Sequence, residues 1–132
     1  MNKVVARFVD GRIVKGVTSD FVPAKERFHV SEASASPGAK PVEIETKDLK
    51  ALFFVKDLAG NPQRGDRNQF DPAHPTAGRR IRVEFKDGEV LIGTTQGYQP
   101  GRPGFFMVPA NPGENIERCY VVSAATRDVR FV

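Results

Sequence analysis

The 132-residue chain has one cysteine, two histidines, no tryptophan and no apolar run long enough to cross a bilayer. With Cys119 as its only thiol it forms no internal disulfide, which fits a reducing compartment. His29 and His74 stand far apart in sequence with no paired acidic spacing around them, so they make no metal-ligand pattern. A catalytic thiol needs a base or positive charge beside it. Cys119 has only the adjoining Arg118, which points the other way along a strand, so Cys119 reads as a small core residue. No glycine-rich loop opens a helix, and the glycines from Gly97 to Gly104 read as a turn between strands. The paired-arginine and D-x-S-x-x-G elements of cyclic-dinucleotide-binding PilZ domains are also missing. Arg64-Gly65-Asp66-Arg67 is too closely spaced, and Ser19-Asp20 lacks the following glycine. No catalytic residue, metal or cofactor is assigned. The start, MNKVVARFVDGRIVKG, has no apolar core before a cleavage site, so a cytoplasmic protein is expected.

Lysine and arginine number 20 against 16 aspartates and glutamates, a net charge of +4. The excess is spread evenly: 9 against 7 in residues 1–55, 4 against 3 in 56–79 and 7 against 6 in 80–132. A strong nucleic-acid binder concentrates its cations on one face. Here the only cluster is Arg79, Arg80 and Arg82, with Glu84 following at once.

What the chain does contain is a repeat. Lys3–Val55 aligns with Arg80–Val132 at a constant offset and without a gap, with 10 identities in 53 positions. The matches include the pairs Phe8/Phe85, Asp10/Asp87, Gly11/Gly88, Gly16/Gly93, Pro23/Pro100, Phe28/Phe105 and Phe54/Phe131. These residue types set backbone shape and fill cores, whereas the polar residues between them differ. The repeat therefore reports a fold and not an active site.

Each copy opens on alternating apolar residues, Val4-Ala6-Phe8 and Ile81-Val83-Phe85, the pattern of a half-buried strand. Asp10-Gly11 and Asp87-Gly88 then predict type I′ hairpins into second strands at Ile13–Val17 and Val90–Thr94. Gly16 and Gly93, inside those strands, predict a bend or bulge. Third strands follow at Phe28–Val30 and Phe105–Val108, and fourth strands around Val42/Ile44 and Cys119/Val121. A short turn and a fifth strand, Leu52–Val55 or Val129–Val132, complete each copy. The expected architecture is all-β: two tandem five-stranded SH3-like/Sm-like small barrels, at residues 1–55 and 80–132, related by internal duplication. Residues 56–79, rich in Gly, Pro, Asn and Asp, read as a linker that Phe70 pins to a barrel. Units of about fifty residues are small enough that the copies are expected to bury apolar surface against each other.

The segment from Asp87 to Val122, with DLKALFFVKD at 48–57, resembles an uncharacterised family of bacterial domains of unknown function. Gly104-Phe105-Phe106, Pro109-Ala110, Pro112 and Arg118 match the family pattern, while Asn111 replaces an aspartate and Asn115 alone remains of an asparagine pair. The resemblance implies a fold and no activity. V-x-F-x-D-G-x-x-x-x-G at Val83–Gly93 is a looser likeness to Sm proteins. The turns Thr46-Lys47-Asp48-Leu49 and Ala124-Ala125-Thr126-Arg127 do not match the Sm RNA-binding loops.

The expected function is a non-catalytic binding or adaptor module for a protein or peptide partner, with a nucleic-acid-binding small barrel as the alternative. The candidate contact residues are Tyr98, Arg102, Phe105, Asn115 and Arg118, on loops and strand ends of the second copy. Phe105 also reads as core, like its counterpart Phe28.

Overall fold

Period-two alternation becomes ten strands in a computed structural model that describes residues 1–58, 78–110 and 115–132. The first half holds β1 (Asn2–Phe8), β2 (Ile13–Thr18), β3 (Arg27–Glu32), β4 (Val42–Glu45) and β5 (Leu49–Val55). The second holds β6 (Arg79–Phe85), β7 (Val90–Thr95), β8 (Gly104–Pro109), β9 (Ile116–Val122) and β10 (Thr126–Phe131). A single 3-10 turn precedes each half's last strand, at Thr46–Asp48 and Ser123–Ala125. The protein is all-β, as expected. Its strands join in one antiparallel sheet, in the order β10-β6-β7-β8-β9-β5-β1-β2-β3-β4. Arg79, read as the linker's end, already belongs to β6, and Phe70 and His74 lie outside the described residues.

The repeat holds in three dimensions. Val4 pairs with Gly16 and Phe54, and its counterpart Ile81 pairs with their counterparts, Gly93 and Phe131. Likewise Phe28 faces Ile44 as Phe105 faces Val121.

The hairpins differ from the expected type I′ turns. The Gly11 N–H donates to the Phe8 carbonyl at 3.1 Å, and the Phe8 N–H donates to the Arg12 carbonyl at 2.9 Å. That is a three-residue loop, Val9-Asp10-Gly11, closing a turn followed by a bulge whose left-handed residue is Gly11, at φ 95°. Phe85, Gly88 and Glu89 repeat the pattern at 2.9 and 2.8 Å. Gly16 and Gly93 serve a different purpose: a Cβ on either would run into the carbonyl of Ser31 or Val108, so glycine lets the third strand cross close over the second.

The two halves share their cores. Every residue of β5 is buried, because β1 pairs with one edge and β9 of the other half with the other. Along β5, Leu49, Leu52 and Phe54 enter the first core, while Ala51, Phe53 and Val55 enter the second. β9 reciprocates, sending Tyr120 and Val122 to the first core and Cys119 and Val121 to the second. Rings from both halves meet at this joint: Phe21 lies 5.0 Å from Phe28 and 5.4 Å from Tyr120, and Phe106 lies 5.2 Å from Tyr120.

Phe53→Arg forces a cation into the second core from a strand of the first half. It is expected to cost about 3–5 kcal/mol, at least the cost of truncating a buried Phe. Val9→Arg, at a position 62% exposed, should stay within about 0.5 kcal/mol of wild type. Urea unfolding followed by circular dichroism reads both.

Candidate functional site at the joint between the halves

Each half ties the loop after its second strand to the turn before its fifth. In the first half the Thr46 N–H donates to the Glu26 carbonyl at 2.9 Å and the Thr46 hydroxyl to the Lys25 carbonyl at 3.3 Å. In the second, the Ser123 N–H donates to the Pro103 carbonyl at 2.8 Å. β4 leads through its turn into β5, and β9 leads through its turn away from the joint. Pairing β5 with β9 therefore brings the loop-and-turn units of both halves together, around a cleft of about 780 Å³.

Equivalent positions line the two sides: Ala24 and Gly101, Lys25 and Arg102, Glu26 and Pro103, Glu45 and Val122, Thr46 and Ser123, Lys47 and Ala124. Divergence has made the cleft asymmetric, with charge on the first half's side and mostly apolar atoms on the second. Four cations line it, Lys25, Arg27, Lys47 and Arg102, against the carboxylates of Glu26 and Glu45. Arg27 sits 3.6 Å from Glu45. Lys25, Lys47 and Arg102 have no ion-pair partner among the described residues. A smaller cavity of about 310 Å³ adjoins the cleft, sharing Lys47 and Ala124 with it and adding Lys86.

Below the smaller cavity Lys50 is nearly buried, with its side chain 6% exposed. Its ammonium reaches Asp87 at 2.7 Å and also Glu89, and lies 4.7 Å from the centroid of the Phe85 ring. Arg7 joins Glu89 at 3.0 Å. Two cations of the first half thus clamp the acidic hairpin of the second. Buried charges are tolerated when paired and hydrogen-bonded, as Lys50 is here. The cluster orients the halves and leaves no free group for chemistry.

The five sequence-derived contact residues are not gathered into one patch. Tyr98 is half-buried, edge-on to Phe105 at 4.7 Å and 5.9 Å from Phe131. Phe105 is core, 4% exposed. Arg102 lines the cleft. Asn115 is a structural clasp: its side chain accepts from the Asp57 N–H and donates to the Asp57 carbonyl, both at 2.8 Å. Arg118 covers the joint, its guanidinium 4.5 Å from the Phe54 ring centroid and 4.6 Å from that of Phe106. The composition-based reading missed Lys25, Lys47 and Lys50. Lys50 left a trace, as the one charge in the apolar run LKALFFV.

Cys119 is fully buried, and that burial pushes its thiol up to about 12. His29 meets Asp20 at 2.8 Å through Nδ1 and Glu43 at 3.7 Å through Nε2. The carboxylates address opposite sides of the ring and do not converge on one point. No group of three such side chains among the described residues is placed to hold a metal ion. No helix there is long and apolar enough to cross a membrane.

The Lys50 clamp has a pH signature. The hydrogen bond from Lys50 and then the Glu89 backbone N–H hold Asp87 below its usual 3.8. Burial pushes Glu89 upward, but the Lys50 hydrogen bond and the Arg7 charge outweigh it and hold the group below 4.5. A carboxyl depressed in the folded state stabilises the fold above its unfolded value, and the gain is lost as pH falls through the folded value. In thermal melts taken from neutrality into acid, Lys50→Met should melt below wild type at neutral pH. The gap should close as pH drops below 3.8. For Cys119 the expected outcome is no labelling by a thiol reagent in the native protein and full labelling in urea.

No curated protein and no solved structure matches the chain. One family model matches residues 1–132, end to end, and the chain belongs to that family, DUF6982, a family of unknown function.

Proposed function

We propose that the chain is a non-catalytic adaptor whose cleft between the halves takes an acidic peptide segment of a partner protein. The observation that carries this reading is the set Lys25, Lys47 and Arg102, three cations without a carboxylate partner among the described residues, at a cleft with an apolar side of Pro103, Val122 and Ala124. Small-molecule and peptide sites commonly combine such apolar walls with a few oriented polar groups, in volumes of roughly 300–1,000 Å³. Cations at the rim recognise carboxylates and steer the encounter.

In this reading each half is an SH3-like/Sm-like small barrel, residues 1–55 and 80–132. Support comes from the shared strand order, the glycine that lets the third strand cross the second, and the 3-10 turn before the fifth strand. The partner meets both barrels at once. A cytoplasmic setting is in keeping with the free, buried Cys119.

Nucleic-acid binding is the second reading, and it has its own observation. Phe131, 37% exposed, lies under the Arg79 guanidinium at 3.6 Å. An exposed ring with an arginine beside it is a place for a base to stack.

Fluorescence anisotropy with a labelled Asp/Glu-rich peptide and with a single-stranded oligonucleotide separates the two. The peptide should bind, and Lys47→Glu with Arg102→Glu should weaken it by about tenfold or more, as charge reversal does in electrostatic recognition. Oligonucleotide binding that persists in that variant and is lost in Arg79→Glu would replace the first reading with the second.

A further inference from the structure

The joint between the halves is made by a fifth strand, β5, and a fourth strand, β9. Among the described residues the same two strand types lie at the ends of the sheet, as β10 and β4, each with one edge unpaired. A second chain could therefore add its β10 to this chain's β4 in the register already used inside the molecule. The residues that cross the joint decide whether it does. Inside the chain, Ala51 and Phe53 of β5 reach the second core, and Tyr120 and Val122 of β9 reach the first. Their counterparts in the repeat, on the outer strands, are Asp128, Arg130, Glu43 and Glu45. Four apolar positions at the joint correspond to four charged ones at the edges.

We propose that β4 and β10 form a latent head-to-tail interface between copies of this chain, held shut by Glu43, Glu45, Asp128 and Arg130. In the register of the joint, where Phe53 faces Cys119 and Leu52 faces Tyr120, Arg130 would face Val42 and Val129 would face Glu43. Asp128 and Arg130 would enter the apolar first core of the neighbour, and Glu43 and Glu45 its second. Burying these charges in apolar cores, with Glu43 and Glu45 leaving His29 and Arg27 behind and Asp128 and Arg130 losing water, costs more than the new strand pairing returns. On the surface all four are in contact with water and partnered: Arg130 with Asp128 at 2.8 Å, Glu45 with Arg27 at 3.6 Å and Glu43 with His29 at 3.7 Å.

The backbone adds a further block. The Thr46 N–H donates to Glu26 on the β3 side, so by strict alternation the N–H groups of Glu45, Glu43 and position 41 point out from the sheet edge. Position 41 is Pro41, the counterpart of Arg118, which pairs with Phe54 in the joint. Proline on an edge strand removes a donor that an incoming strand needs. A head-to-tail repeat with one apolar joint and two charged ends stops at two units, where uniform joints would continue into a ring or filament.

The test restores joint residues to one edge at a time. The variant Pro41→Arg/Glu43→Tyr/Glu45→Val opens β4, and Asp128→Ala/Arg130→Phe opens β10. Light scattering coupled to size exclusion reads the mass, and circular dichroism checks folding. Wild type and each variant alone should run at one chain, 14.5 kDa. An equimolar mixture of the two variants should run at twice that mass. Self-association of wild type, or of either variant alone, overturns the proposal, because the edges would then not be shut or not be specific. A mixture of two folded variants that stays at one-chain mass overturns it equally. If either variant does not fold, Pro41→Arg/Glu43→Ala/Glu45→Ala is mixed with Asp128→Ala/Arg130→Ala and read in the same way.

Discussion

Hydrogen bonding of β5 to β9 is the constraint on which the rest of this protein depends. A strand paired on both edges and buried on both faces must supply side chains to two cores at once. β5 does so with Leu52 and Phe54 on one side and Ala51 and Phe53 on the other. Neither half has a complete core alone, since Tyr120 and Val122 close the first and Phe53 and Val55 close the second. Units near fifty residues bury too little surface to be secure by themselves. Exchanging side chains across the joint solves that without an internal disulfide.

The candidate site is a by-product of the same pairing. Two copies of one loop-and-turn unit face each other only because the strands leading into and out of the turns are the ones that pair. Divergence then acted on equivalent positions with different results. Lys47 is charged where Ala124 is small, and Glu45 pairs with Arg27 where Val122 joins the core. Lys50 makes the arrangement rigid, its ammonium satisfied by a hairpin that carries Asp87 and Glu89, where the first half's hairpin instead closes on itself through Asp10 and Arg12 at 2.9 Å.

Local rules were readable in the residue order because they act over a few neighbours. Alternation placed the strands, and the absence of helical periodicity agrees with only two short 3-10 turns among the described residues. Asp10-Gly11 marked a hairpin correctly but not its loop length. The dipeptide signals a left-handed residue, and whether the loop holds two residues or three depends on which carbonyl the flanking Phe8 N–H finds. The contact residues fared differently. Tyr98, Asn115 and Arg118 carry polar groups that look available in a sequence, yet each is engaged by neighbours distant in the chain: Phe131, Asp57 and Phe54.

The sequence by itself determined the strand content, the duplication that sets Lys3 on Arg80 and Val55 on Val132, and the positions where glycine is obligatory, because periodicity and steric limits are properties of short segments. The tertiary structure alone decided that the copies share one sheet, that Lys25, Lys47 and Arg102 meet at a cleft, and that Glu43 and Arg130 guard edges whose counterparts are core. Strand order depends on which edges find apolar partners across the whole chain, and a charge is neutral or prohibitive only relative to the core it would enter.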